Sequence, residues 1–225
     1  MPPTDRRRFG LVLLAAGLAG RARAEAPRPI VAWGDSLTFG TGARTEAGRY
    51  PAALGRAFAP PRPVRNAGVG GESSTQIAAR MLADAASRDA VAVIWAGRNN
   101  YDDAARVQAD IRAMVASLRS GCALVLSILN ADVPEEYRGA PGHRAILALN
   151  AALLAEHGRR FLDIRGHLVA RGLAAAGLTP SLLDRADIAR DVPPRALRAD
   201  HIHLNQAGQA AVAAAVHGAL LARSW

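Results

Sequence analysis

Four short stretches hold residues whose types and spacing could do chemistry. They are Gly34-Asp35-Ser36-Leu37, Asn66-Ala67-Gly68-Val69-Gly70-Gly71-Glu72-Ser73, Gly97-Arg98-Asn99-Asn100 and Asp200-His201-Ile202-His203-Leu204-Asn205. An Asp and a His three residues apart can meet within one turn. The carboxylate then holds one ring nitrogen while the other faces a hydroxyl, which is the base and orienter that a serine nucleophile such as Ser36 needs. Glycines allow positive φ and close backbone approach to a ligand. This run has neither the Gly-x-Gly-x-x-Gly spacing of a dinucleotide site nor the Gly-Lys of a phosphate loop. An amide in the third stretch can donate a hydrogen bond into the same region. Taken singly, each stretch also reads as an ordinary turn or helix cap. His201 and His203 could be a metal pair, but no cluster with zinc-type spacing accompanies them. His143, His157, His167 and His217 fall in helical or strand stretches and read as structural or surface residues.

These residues must be positioned by the elements between them. Apolar β-type runs predict strands at Pro29–Gly34, Pro63–Ala67, Ala90–Ala96, Ala123–Leu129 and Phe161–Ile164. Helical spacing predicts helices over Tyr50–Phe58, Ser73–Ser87, Asp102–Ser120 and His143–His157. Ile77, Met81, Leu82 and Ala85 should share one face of the second of these. Val107, Ile111, Met114, Val115 and Leu118 form the clearest stripe, on the third. Gly177–Ala199 reads as loop-rich, and Asn205 as the N-cap of a last helix reaching about Ala222. Strands apolar throughout and separated by helices imply an α/β fold with a parallel sheet covered on both faces. Such a sheet carries reactive groups at the carboxyl ends of its strands. The first three motifs lie at those ends, and the fourth lies beside the last helix.

That ordered set resembles the SGNH (GDSL-type) hydrolase family, across nearly all of residues 29–222. Gly34-Asp35-Ser36-Leu37 matches the first block and Asn66–Glu72 the second, with Gly71 aligned to the oxyanion glycine. Gly97-Arg98-Asn99-Asn100 matches a block that usually reads Gly-x-Asn-Asp, with Asn99 as the functional amide. Asp200-His201-Ile202-His203 matches Asp-x-x-His. The resemblance implies a three-layer α/β/α domain with a flavodoxin-like sheet of about five strands. It implies a serine esterase with Ser36, Asp200 and His203 as catalytic residues. The backbone N–H groups of Ser36 and Gly71 and the Asn99 amide would form the oxyanion hole, and no metal or organic cofactor is required. Asn100 stands where the family usually has Asp, and is expected to support its loop rather than perform chemistry. Arg98 reads as a surface residue, or as a charge favouring an anionic substrate. Phe39, Tyr50 and Tyr101 lie near the motifs, as pocket lining or as packing.

Composition bounds the rest. The chain has 225 residues, half of them hydrophobic, which suits one domain plus a short extra segment. Its formal charge is +9, and every basic residue is Arg. Residues 1–24 hold five arginines against one acid, leaving +5 on residues 25–225. Those arginines are scattered, without interleaved aromatics, which argues against a nucleic-acid partner. The lone cysteine, Cys122, cannot form an intrachain disulfide and sits in an apolar run. Residues 1–24 read as a twin-arginine-like signal peptide: Arg6-Arg7-Arg8-Phe9, an apolar stretch to Gly20, then Ala22-Arg23-Ala24 with cleavage after Ala24. That stretch is about 18 Å long as a helix against a hydrocarbon core of roughly 30 Å, too short to span it. The expectation is a periplasmic or secreted domain, residues 25–225, without stable membrane insertion. Its partner would be a small-molecule or polymer-borne ester. With only 4% aromatic residues it offers few stacking platforms for sugars. An acyltransferase on the same scaffold and a catalytically weak binding module are the rival readings.

Overall fold

A computed structural model describes residues 27–225; the signal-peptide expectation falls outside them. Five strands, β1 (Ile30–Gly34), β2 (Val64–Gly68), β3 (Val91–Trp95), β4 (Ala123–Leu126) and β5 (Phe161–Leu162), form one parallel sheet in the order β2-β1-β3-β4-β5. The order reverses at β1, whose two neighbours are β2 and β3. Sheets of this kind bind ligands outside the carboxyl ends of their strands at such a reversal, and Ser36 lies there.

The eight helices of the described residues are α1 (Ser36–Phe39), α2 (Tyr50–Ala57), α3 (Ser74–Ala83), α4 (Ala104–Ala116), α5 (Pro141–His157), α6 (Ile164–Ala175), α7 (Leu182–Ala189) and α8 (Gln206–Leu221). Successive strand side chains point to opposite faces, so the apolar strands feed two cores. Ile30, Ala32, Val93, Trp95, Leu124 and Leu126 pack with Tyr50 and Leu54 of α2, Leu168 of α6, and Val212 and Val216 of α8. Val31, Trp33, Ala92, Ile94 and Val125 pack with Ile77 and Met81 of α3, Val107 and Ile111 of α4, and Ile146 and Leu149 of α5. The result is the three-layer α/β/α fold, with the flavodoxin-like strand order. Among the described residues, no helix is long and apolar enough to cross a membrane.

Several elements differ from expectation for identifiable reasons. The second expected helix ends at Ala83, and Leu82 and Ala85 are exposed; its buried face is Ile77, Ala78 and Met81. The β4 strand stops at Leu126 because Ser127 turns to the Asp163 carboxylate and donates its hydroxyl at 2.9 Å. Asp163 also accepts from the Gly166 N–H, ends β5 at Leu162 and caps α6. Helix α6 went unanticipated because its inward stripe includes Gly172 and a buried Arg165, which dilute the apolar period. Helix α7 lies in the stretch expected to be loop-rich. Its inward face is acidic, Asp184 and Asp187, while Leu182 is 84% exposed. An inside-out helix of this kind defeats a hydrophobicity pattern. The last helix matches expectation: the Asn205 side chain accepts from the N–H groups of Ala207 and Gly208.

Candidate active site

Ser36 is the first residue of α1, directly after β1. Asp35 makes that turn: its Oδ1 accepts from the Leu37 N–H at 2.9 Å. As the first helical residue, Ser36 has a backbone N–H without an intrahelical acceptor. The β1 and β2 strand ends lie side by side, with Gly34 opposite Gly68. A Cβ at Gly68 would sit 2.1 Å from the Phe39 nitrogen, so glycine there lets α1 rest on β2. The loop beyond brings Gly71 round at φ +79°, a left-handed conformation suited to glycine, with open space where a side chain would be.

The glycine loop and the third motif are tied together. The Asn99 side-chain amide donates to the Glu72 carbonyl at 2.9 Å. One N–H is thereby fixed, and the amide carries a second. The Glu72 carboxylate is gripped by Arg80, whose guanidinium also donates to the Ala67 carbonyl at 3.0 Å. Asn100 accepts from the Ser74 N–H and donates to the Ser74 hydroxyl, both at 3.0 Å, while that hydroxyl donates to buried Asp110 at 2.7 Å. The loop-supporting expectation for Asn100 agrees with these bonds. A carboxylate here could accept from the Ser74 N–H but could not donate to Oγ, and it would face the charge of Asp110. The amide does both, accepting from the N–H and donating to Oγ.

The fourth motif is the tip of a small hairpin closed by an antiparallel bridge between Arg198 and Leu204. The Ala199 N–H donates to the His203 carbonyl at 2.8 Å. At the tip, Asp200 Oδ1 accepts from the N–H groups of Ile202 (2.9 Å) and His203 (2.7 Å), and Oδ2 lies 2.7 Å from His203 Nδ1. His203 Nε2 then lies 2.9 Å from Ser36 Oγ. Burial pushes the Asp200 carboxyl up, but the two N–H groups and the His203 ring outweigh it and hold the group at about 2. An ionised carboxylate only accepts, so Nδ1 carries the ring proton and Nε2 is free to accept from the Ser36 hydroxyl.

The structure thus brings Ser36, His203 and Asp200 into one hydrogen-bonded chain, with Gly71 and Asn99 on loops beside it. Arg98 departs from the surface expectation, while its charge still bears on the Asp35 carboxyl beside Ser36. Its side chain is 16% exposed and pairs with Glu136 at 2.8 Å, so it is neither a surface residue nor a free cation. It also lies over the Tyr101 ring, 5.0 Å from the centroid. Tyr50 is fully buried against Trp95 as packing, while Phe39 stays 40% exposed near Ser36. His143 and His157 are buried, and among the described residues no group of three or more His, Cys, Asp or Glu could hold a metal ion.

One acidic residue in the first motif carries more than sequence suggested. Asp35 is 1% exposed, and its Oδ2 has no hydrogen-bond partner among the described residues. Burial pushes its carboxyl up to about 6, against the Leu37 N–H and the charges of Arg98 and His203. An acid whose folded value is raised binds its proton more tightly when folded. Its ionisation therefore lowers stability as pH rises from about 4 to about 6. Asp35→Asn, which keeps the oxygen that caps α1, should flatten that part of the stability profile. Thermal melting from pH 4 to pH 7 checks this; an unchanged slope would show that another group sets it.

The fold agrees with known proteins. The GDSL-like lipase/acylhydrolase family matches residues 32–211. This chain belongs to that family. Among solved structures, a lipase/acylhydrolase from Enterococcus faecalis aligns with a TM-score of 0.62 at 20% identity, covering 87% of this chain and 96% of that one. A GDSL-like lipase from Bacteroides thetaiotaomicron aligns with a TM-score of 0.62 at 16% identity, covering 87% and 89%. A psychrotrophic esterase from Pseudoalteromonas, in a structure inhibited by monoethylphosphonate, aligns with a TM-score of 0.59 at 15% identity, covering 88% and 98%. At these identities the likeness is one of fold. No curated protein matches the sequence.

Proposed function

We propose that this GDSL-family chain is a serine esterase that cleaves carboxylic esters through an acyl-enzyme. Its substrate would be a lipid or other acyl ester, a thioester, or an O-acetyl group on carbohydrate. The observation that carries this reading is the chain Ser36 Oγ to His203 Nε2 at 2.9 Å and Nδ1 to Asp200 at 2.7 Å, which joins residues 167 apart in sequence.

In the first half-reaction, Ser36 Oγ attacks the ester carbonyl carbon as its proton passes to His203 Nε2. Asp200 stabilises the imidazolium that forms. The tetrahedral oxyanion is met by the backbone N–H of Ser36, the N–H of Gly71 and the unpaired N–H of the Asn99 amide. Collapse expels the alcohol, which takes the proton from His203. In the second half, His203 deprotonates a water that attacks the acyl-serine, and the acid leaves with Ser36 restored. The chemistry draws on side chains and backbone of this chain alone. On this reading the N-terminal residues direct export, and the enzyme works on periplasmic or extracellular esters.

Asn99→Ala tests the oxyanion assignment. Loss of one such donor costs about 3 kcal/mol, so kcat should fall by ~10²–10³. The bond to the Glu72 carbonyl goes as well, but the Asn100–Ser74 pair still ties the loops. Turnover of p-nitrophenyl esters of short and long acids checks this, and the chain-length profile defines the acyl preference. A variant with wild-type kcat would remove Asn99 from the site.

A further inference from the structure

The hairpin that carries Asp200 and His203 is organised around one buried guanidinium. The Arg198 side chain is 5% exposed, yet it serves four acceptors on four segments. Its Nε donates to the Pro193 carbonyl at 2.7 Å, and Nη1 donates to the carbonyl of Asp200 itself at 3.1 Å. Its Nη2 donates to the carboxylates of Asp132 at 2.9 Å and Asp187 at 3.1 Å. Asp132 reaches the hairpin by a second route, its backbone N–H donating to the His201 carbonyl at 2.8 Å. Its other carboxylate oxygen accepts from the Tyr137 hydroxyl at 2.8 Å. Asp187 is fully buried and is also gripped by Arg195 through its backbone N–H and guanidinium. Arg195 and Arg198 thus face Asp132 and Asp187 beneath the hairpin.

We propose that Arg198 is a positioning residue for the reaction, setting the height of the Asp200–His203 tip over Ser36. The proposal rests on His203 being the base and Ser36 the nucleophile. Two consecutive tip carbonyls, of Asp200 and His201, are pinned to this network: one by Arg198, the other by its partner Asp132. The tip's internal bonds, from Ala199 to His203 and within Asp200–His203, give it shape but do not fix where it stands against β1. Ile202 and Leu204 anchor its base in the core, and the polar contacts to Pro193, Asp132 and Asp187 refer its tip to the surrounding segments. Proton transfer is sensitive to such placement, and a shift of about 1 Å can cost ~10² in rate. A guanidinium suits this node because its planar fork of five donors reaches acceptors in several directions. A lysine ammonium keeps the charge but presents its donors from a single atom.

Arg198→Lys is therefore expected to lower kcat on p-nitrophenyl acetate ~10- to 100-fold with KM within twofold of wild type. The rate of covalent capture by a fluorophosphonate should fall in parallel, at a temperature well below the variant's melting transition. Asp132→Asn keeps the N–H to the His201 carbonyl and one acceptor oxygen. It should give a smaller kcat loss, about 3- to 10-fold, again with KM unchanged, and serves as the test if the lysine variant does not fold. A lysine variant that melts lower yet keeps wild-type kcat would overturn the proposal, because Arg198 would then only stabilise. A rise in KM at constant kcat would overturn it too, placing Arg198 on the substrate side. If the wild type itself neither turns over nor is captured, the nucleophile reading fails and this proposal falls with it. If the wild type reacts and both variants match it, Arg198 alone is wrong.

Discussion

Ser36→Ala is expected to lower kcat on a p-nitrophenyl ester by about 10⁶ while leaving the melting temperature unchanged, the scale seen when a nucleophile acting with its base is removed. The structure says why the fold should not notice. Among the described residues, the only side-chain hydrogen bond of Ser36 is the one to His203 Nε2. The helix behind it is capped by Asp35, which accepts from the Leu37 N–H whatever stands at position 36. The glycine loop passes at ordinary contact distance, with a Cβ at Gly70 lying 3.9 Å from the Ser36 Cβ. The donors proposed to meet the oxyanion stay in place, so a small rate above that of water should survive. A large fall in both rate and melting temperature would instead mean that Ser36 supports the turn. Unchanged turnover would mean that chemistry occurs elsewhere.

Asp200→Asn should cost about 10⁴ in kcat, through the tautomer of His203 rather than through lost structure. The Asp200 carboxylate makes three bonds. An asparagine oxygen can still accept from the N–H groups of Ile202 and His203, so the tip keeps its shape. The amide nitrogen then faces Nδ1 and donates to it, which places the ring proton on Nε2. The Ser36 hydroxyl then meets a donor instead of an acceptor. Because the wild-type carboxyl is held at about 2, it remains ionised down to strongly acid pH. For a depressed acid the stabilising link to His203 is complete above about pH 4 and is lost only as pH falls through about 2. Any loss of wild-type activity between pH 7 and pH 4 must then come from a group other than Asp200. Steady-state rates of wild type and variant from pH 4 to pH 9, with melting curves, check both points. A variant with more than a tenth of wild-type kcat would remove Asp200 from this role.

Much of this was legible in the sequence, and the rest was hidden for physical reasons. The strands of the sheet interior are apolar on both faces and bounded by turn residues, so β1, β3 and β4 stand out. The motif at the end of β1 follows from them. The edge strand β2 is half exposed and carries Arg65 and Asn66, so its pattern stands out less, although the expected Pro63–Ala67 overlaps it. Helices α6 and α7 escaped because their inward faces carry Arg165, Asp184 and Asp187, charges buried by pairing that no apolar period reports. The same blindness covers the polar groups around the site. Arg98 looks like a surface charge until Glu136, 38 residues on, is seen beside it. Arg198 stands two residues before Asp200, yet its partners Asp132 and Asp187 lie 66 and 11 residues away. The residues proposed to meet substrate fall at strand ends in short recognisable blocks. The residues that hold them in register are linked through space by charge, and only the fold assembles those links.

The most direct test of the central claim is covalent capture. The protein would be incubated with a fluorophosphonate, and the modified residue identified by mass spectrometry of its peptides, beside Ser36→Ala. One equivalent of adduct on Ser36, absent from the alanine variant and lost in proportion when His203 is replaced, is the predicted result. An unmodified wild-type protein, or an adduct on any other residue, would contradict the assignment of Ser36 as the nucleophile.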